Sequence, residues 1–334
     1  MKITIRVYSL VLSFFVMLWQ LISVGVYLIP RTWHDTAWPA AAAPTSVYPT
    51  QAEAQAAGGG WYVTMDESFA GNTLPAPWVP SPHGLRNTEY WCDNMVDATE
   101  DGTVKILAAQ LTDNVCGVCP AAGDFTSGIE TRKMVDGKST STFEQAFGYY
   151  EARVWLPEGP GLWAAFWLQA NAQGRIGSYG KDGTEVDVFE SAFRYEPTMV
   201  GNAFHWDGYD LFYGTTGHVT DTKTDQYGGW HTYGLLWTPE NYTFFVDGKA
   251  TWQSDAGGVS RVPEFLRLTV EIRRAETGPY GAKLGAFQNT RENPSVFKID
   301  YVKVYQNTAF LDEIRAPEDF KELPVPAILT WFQK

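Results

Sequence analysis

From Trp61 onward the chain is a succession of short runs rich in aromatic and β-branched residues, each closed by a turn signal, and no long stretch carries a helical period. "YYEARVWLP", "TEVDVFES", "HTYGLLWTP", "LRLTVEI" and "FKIDYVKVYQ" each have the length and composition of a strand. Asp101-Gly102 in "ATEDGTVKILAA" and Asp247-Gly248 in "YTFFVDGKATWQ" separate pairs of strand-like arms, the signature of a hairpin turn. Many short antiparallel strands in one large domain leave few architectures. The expected fold class is all-β, a sandwich of two antiparallel sheets of jelly-roll type.

One of these runs is chemically unusual. "DGTEVDVFES" places Glu185, Asp187 and Glu190 within six residues. In a regular strand, side chains at i and i+2 share a face and i+5 points to the other. Glu185 and Asp187 therefore face one way, and Glu190 joins them only if a β-bulge adds a residue. Val186, Val188 and Phe189 mark the run as a strand between apolar layers. Three acids buried together on it repel one another, at a cost of several kcal/mol unless they are used. Spacing alone leaves solvated acids, a hard-cation site and a catalytic group open. Glycoside hydrolysis needs two carboxyl groups flanking the scissile bond, about 5–5.5 Å apart in a retaining enzyme. One must be ionised and the other protonated, and an acid between them helps keep the two titrations apart.

The composition agrees with a sugar ligand. Aromatics are 15% of the chain and include 14 Trp, and sugar rings present C–H faces that pack on Trp and Tyr. The net charge of −13 argues against nucleic acid as a partner, because phosphates would be repelled. The three cysteines are Cys92, Cys116 and Cys119. "CGVC" has no second pair to complete a structural zinc site, and a disulfide using two of the three is the favoured reading.

At this point the sequence resembles a known family. "GTEVDVFES" matches the E-x-D-x-x-E signature of family 16 glycoside hydrolases in its bulged, laminarinase-like form. "SGIETRK", "FGYYEARVWLP", "GPGLWAAFWLQ", "NAFHWDGYD", "WHTYGLLWTPENYTFFVDGK" and "FKIDYVKVYQ" follow in the family's order. The resemblance implies a concanavalin-like curved jelly roll with an open cleft on its concave face. It implies Glu185 as nucleophile, Glu190 as general acid/base and Asp187 as the residue assisting between them. It also implies substrate contacts from Asn87, from Glu151 and Arg153 on the donor side, from Trp163 and Trp167 as a sugar platform, and from His205 and Trp206. The implied activity is endo-hydrolysis of a polysaccharide, β-1,3-glucan first, with mixed-linkage glucan, agar and carrageenan open. A transglycosylase or a non-catalytic carbohydrate-binding protein of the same fold are the rivals. Few basic residues accompany the cleft motifs apart from Arg153, which mildly disfavours a heavily sulfated chain. Many family members bind a structural calcium through an early acid and an Asp near the last strand. Asp300 fits the late position, but Ser68 falls where the early acid would align, so either Glu67 serves or the calcium is absent. No metal role in the chemistry and no cofactor are expected.

The ends of the chain set its expected location. Residues 10–29 are almost wholly apolar, long enough to cross a hydrocarbon core of about 30 Å. Lys2 and Arg6 precede them, which keeps the N-terminus in the cytoplasm. The expected organisation is a signal anchor over 1–30, an Ala/Pro/Gly-rich linker over 31–60, a catalytic domain over 61–306 and a tail over 307–334. The expected protein is extracytoplasmic and monomeric, attached to a membrane by an uncleaved anchor or secreted if the segment is cleaved.

Overall fold

The computed structural model describes residues 43–324, apart from 100, 114–115, 118–121, 194 and 274–283. Two sheets enclose one core. The smaller has seven strands in the order Gly214–Asp221, Met199–Trp206, Thr184–Glu190, Leu162–Gln169, Phe265–Ile272, Gly128–Glu130 and Val79–Pro80. The larger has twelve strands. Its spine runs Lys249–Ser254, Tyr242–Val246, Trp230–Trp237, Gly148–Trp155, Ser295–Asn307 and Val104–Leu111. Pairing is antiparallel except where Val47–Tyr48 meets Trp61–Glu67 and Tyr90–Trp91 meets Gly123–Thr126. This is the all-β sandwich that the alternating pattern predicts.

Side-chain alternation assigns the two faces. In Leu162–Gln169, Leu162, Ala164, Phe166 and Leu168 enter the core while Trp163, Ala165, Trp167 and Gln169 face away from it. In Phe265–Ile272, Leu266, Leu268, Val270 and Ile272 point inward and Arg267, Thr269 and Glu271 outward. Tyr150, Ala152, Val154, Leu235 and Trp237 close the core from the larger sheet. Both Asp-Gly pairs form the tight turns their residue types suit. Asp247 and Gly248 have φ of 48° and 74°, and Asp101 and Gly102 have 59° and 67°, the left-handed values a twisted hairpin requires.

That alternation corrects one expectation. Glu151 and Arg153 lie on Gly148–Trp155 of the larger sheet, between core residues Tyr150, Ala152 and Val154, so they face outward on the side of the sandwich away from the acids. Glu151 accepts hydrogen bonds from Tyr149 and Tyr301, and Arg153 pairs with Asp300 and lies over Trp230. Neither lines the cleft.

The domain also extends past both expected bounds. Within the expected linker, Gln51–Ala56 forms a short helix with a Thr50–Glu53 capping box, and Ala54 is fully buried. Within the expected tail, Thr308–Glu313 forms a 3-10 turn that seats Phe310 against Trp61 and Phe147. The chain then continues along the domain, with Arg315 N–H donating to the Arg261 carbonyl and Leu323 N–H to that of Ile176. The apolar segment 10–29, residues 31–42, Cys119 and 325–334 lie outside the described residues. Among the described residues no helix is long and apolar enough to cross a membrane. Cys116 is disulfide-bonded and Cys92 is a buried free thiol.

Candidate active site

Glu185 stands opposite His205 and Asp187 opposite Ala203, but Glu190 stands opposite Gly201. Three residues on one strand are thus spanned by two on its neighbour, and the same extra residue shifts the register against Leu162–Gln169. This is the bulge that the spacing of the acids requires. Val186, Val188 and Phe189 all enter the core, while all three acids face the opposite side. Asn202 fills the irregularity, its side-chain amide donating to the Val188 carbonyl. Ala165 and Gly201, the ladder neighbours of Glu190, are small and leave space around its carboxyl group.

The acids open into a cavity of about 600 Å³. Glu185, Asp187 and Glu190 are only 8%, 5% and 6% exposed, so their charges are largely out of water. Burial, reinforced by the charge of Asp187, pushes the Glu185 carboxyl up to about 7. His205, the hydroxyl of Tyr209 and the charge of Arg267 pull in the other direction. Asp187 is raised as well, by burial first and the charge of Glu271 second, with Arg86 opposing. Glu185 Oε2 accepts from Gln169 Nε2 at 2.9 Å and from the Tyr209 hydroxyl. Gln169 is in turn held by Arg267 Nη1 at 3.3 Å, and Arg267 Nε pairs with fully buried Glu130 at 2.8 Å. His205 Nε2 lies 3.1 Å from Asp187 Oδ2, and its Nδ1 meets the Tyr213 hydroxyl.

The other sequence-predicted residues divide. Asn87 is on the cleft rim, donating to Glu271 at 2.8 Å. Trp163 and Trp167 both line the cavity. Trp167 is only 5% exposed, however, with the Arg267 guanidinium 4.0 Å over its ring and its Nε1 bonded to Thr269. One face of that ring holds an arginine in place and is closed to a sugar. Trp206, one residue beyond His205, points to the other side of its sheet and packs on the core, away from the cleft.

The charge reading changes too. Arg153 is elsewhere, but Arg86, Arg132, Arg267 and Arg273 line the cavity. They and Gln169 and Glu271 are functional candidates that the motif comparison passed over, and Tyr209 lines the cavity with them. A partial signal was present in "LRLTVEI", where Arg267 and Glu271 alternate with core aliphatics and so face away from the core; pairing with Leu162–Gln169 then puts them on the face of the acids. Of the residues considered for a structural calcium, Asp300 is engaged by Arg153, and Glu67 accepts from the Phe69 N–H at 2.7 Å. Among the described residues, the groups whose ligand atoms lie within 4.8 Å of one another are His83, Cys92 and Asp93, and Glu185, Asp187 and His205.

Known proteins share this arrangement of sequence and fold. Residues 97–301 match the family model for glycosyl hydrolases family 16. The chain is 28% identical over 186 residues to the endo-1,3-1,4-beta-glycanase EglC of Rhizobium meliloti, covering 54% of this chain and 34% of that protein. It thus spans about a third of that relative's length. It is 27% identical over 269 residues to a beta-glucanase of Rhodothermus marinus, covering 74% of this chain and 85% of that one. The catalytic domain of an endo-1,3-beta-glucanase (laminarinase) from Thermotoga petrophila RKU-1 has the same fold, with a TM-score of 0.56 at 20% identity over 74% of this chain and 98% of that one.

Proposed function

The chain belongs to glycosyl hydrolases family 16, and from that premise we propose that it is a retaining endo-glycosidase acting on internal β-linkages of a polysaccharide with a β-1,3-glucan backbone. The observation that carries this reading is the bulge that puts Glu190 on the face of Glu185, with both buried in one open cleft. The names of the glucanase relatives support the substrate class.

In the proposed course, protonated Glu190 donates to the glycosidic oxygen while Glu185 attacks the anomeric carbon. The resulting glycosyl-enzyme passes through oxocarbenium-like transition states on formation and breakdown. Glu190, now ionised, takes a proton from water, whose oxygen displaces Glu185 and restores the β configuration. Burial raises the Asp187 carboxyl, and in its neutral form Asp187 removes the like charge that raises Glu185. Gln169 and Tyr209 hold the nucleophile by hydrogen bonds that favour its anion. The apolar segment 10–29 supports a site of action outside the cytoplasm.

The test uses the full chain on laminarin, mixed-linkage glucan, agarose and carrageenan. Glu185→Ala and Glu190→Ala are each expected to lose nearly all reducing-end release while melting as the parent does. Proton NMR of the first product is expected to show the β anomer ahead of mutarotation. An α anomer would remove the double displacement, and full activity in either variant would remove that residue from its role.

A further inference from the structure

We propose that Arg86 and Arg273 form a subsite for an oxyanion carried by the polysaccharide, a sulfate ester or a carboxylate, along the wall of the cleft facing the catalytic acids. The proposal rests on the glycosidase reading of that cleft and names a substituent its substrate bears.

The protein carries a net charge of −13, yet four guanidinium groups converge on this one cavity. Two of them are consumed by the wall itself. Arg132 and Arg267 both bond Glu130, which is fully buried, and Arg267 is itself 5% exposed. The other two are arranged differently. Arg86 Nε donates to Glu271 Oε1 at 2.9 Å, and Arg273 Nη2 donates to Oε2 at 2.7 Å, with Asn87 a third donor to the same carboxylate. Glu271 thus holds both guanidinium groups through separate oxygens. Among the described residues, the other negative charges facing them are those of Glu89, beside Arg273, and of the catalytic acids across the cleft, which act on Arg86. The Arg86 and Arg273 side chains are 41% and 30% exposed, open to the cleft, whereas Glu271 is covered by its three donors. Among the described residues the Arg86 side chain donates to Glu271 through Nε and the Arg273 side chain through Nη2. Both guanidinium planes are steadied by indoles, Arg86 at 5.2 Å from the Trp91 ring centre and Arg273 at 4.8 Å from that of Trp163.

A neutral sugar hydroxyl both donates and accepts, and a site built for it mixes the two functions. Two guanidiniums offer donors only, in the fork geometry that matches sulfate or carboxylate oxygens. Glu271 fixes their positions beforehand, which spares a bound anion the cost of ordering two long side chains.

Affinity electrophoresis tests this without turnover. Full-length Glu190→Gln protein is run through gels containing laminarin, sparsely sulfated laminarin or sparsely carboxymethylated laminarin. A protein of this net charge has no general attraction for a polyanion, so retention by a substituted polymer reports a local site. The expected result is an apparent Kd at least tenfold lower for one substituted polymer than for laminarin, weakening as salt is raised. The polymer that is retained distinguishes sulfate from carboxylate. Added Arg86→Gln or Arg273→Gln should abolish the difference, while Arg291→Gln, paired with Asp113 on the surface, should keep it. Equal or weaker binding of both substituted polymers, or loss in Arg291→Gln as well, overturns the proposal. If a glutamine variant does not fold, the polymer preference and its salt dependence in the parent decide. Hydrolysis is not measured, so this test and that of the glycosidase reading fail separately.

Discussion

The side-chain amide of Asn202 donates to the backbone carbonyl of Val188 at 2.6 Å, inside the bulge that turns Glu190 toward the face of Glu185. A bulge leaves a ladder carbonyl without its strand partner, and here a neighbouring side chain replaces that partner in the dry interior. Asn202→Ala is expected to cost about 1–3 kcal/mol of stability in urea unfolding. It should also lower kcat far more than it raises KM, because the acid/base rather than the sugar contacts loses its position. An unchanged kcat would detach the bulge from the chemistry.

Tyr209 donates its hydroxyl to Glu185, and that bond lowers a carboxyl which burial has raised to about 7. Tyr209→Phe removes a donor that favours the ionised form, so the Glu185 pKa moves further up. The nucleophile must be ionised, and the acid limb of the kcat/KM profile is therefore expected to shift to higher pH, with activity below that limb falling. A pH profile of parent and variant on one substrate checks the sign; a shift to lower pH would contradict it.

Much of this site was legible because period-two alternation is a strict rule, and the residues that disobey it stand out. Glu190 breaks parity with Glu185, so the two can share a face only through a bulge. The same rule, applied to Trp206 beside His205, turns it away from the side of His205, and applied to "LRLTVEI" it turns Arg267 and Glu271 away from the core. What alternation cannot supply is which sheet a strand joins. Glu151 and Arg153 alternate as cleft residues would, but their strand pairs with Trp230–Trp237 and Ser295–Asn307 on the other side of the sandwich. Long-range pairing likewise decided the ends: "TQAEAQAAGGG" has a linker's composition, yet Thr308 Oγ1 captures the Gly60 N–H at 2.9 Å from across the sequence.

Glu264 gives the fold a pH dependence from behind the catalytic strand, where the charge of Glu185 adds to the effect of burial. It is fully buried, accepts from the Thr184 N–H at 3.2 Å, and burial pushes its carboxyl from 4.5 up to about 8. The folded state thus binds a proton that the unfolded state releases above pH 4.5, so this group stabilises most in acid and its contribution is lost as pH rises toward 8. Glu264→Gln keeps an acceptor for Thr184 without the ionisation. Urea midpoints measured across that window are expected to fall with pH more steeply in the parent than in the variant. Parallel slopes would place the titration elsewhere.

Phe310 ties the residues after the last strand to the start of the strand Trp61–Glu67. Its ring meets Trp61 edge-on at 5.8 Å between centroids and Phe147 at 6.2 Å, and it packs on the main core while partly exposed. Phe310→Ala is expected to cost about 1–3 kcal/mol, below the range for a fully buried phenylalanine because part of the ring already meets water. Ending the chain at 306 removes this ring together with the Arg261–Glu313 ion pair and should lower the melting temperature further. The acids lie on the other sheet, so the enzyme that remains folded is expected to keep its kcat. Thermal melts with activity assayed well below the transition separate the two effects, and a truncated chain that melts like the parent would exclude Phe310 from the fold's stability.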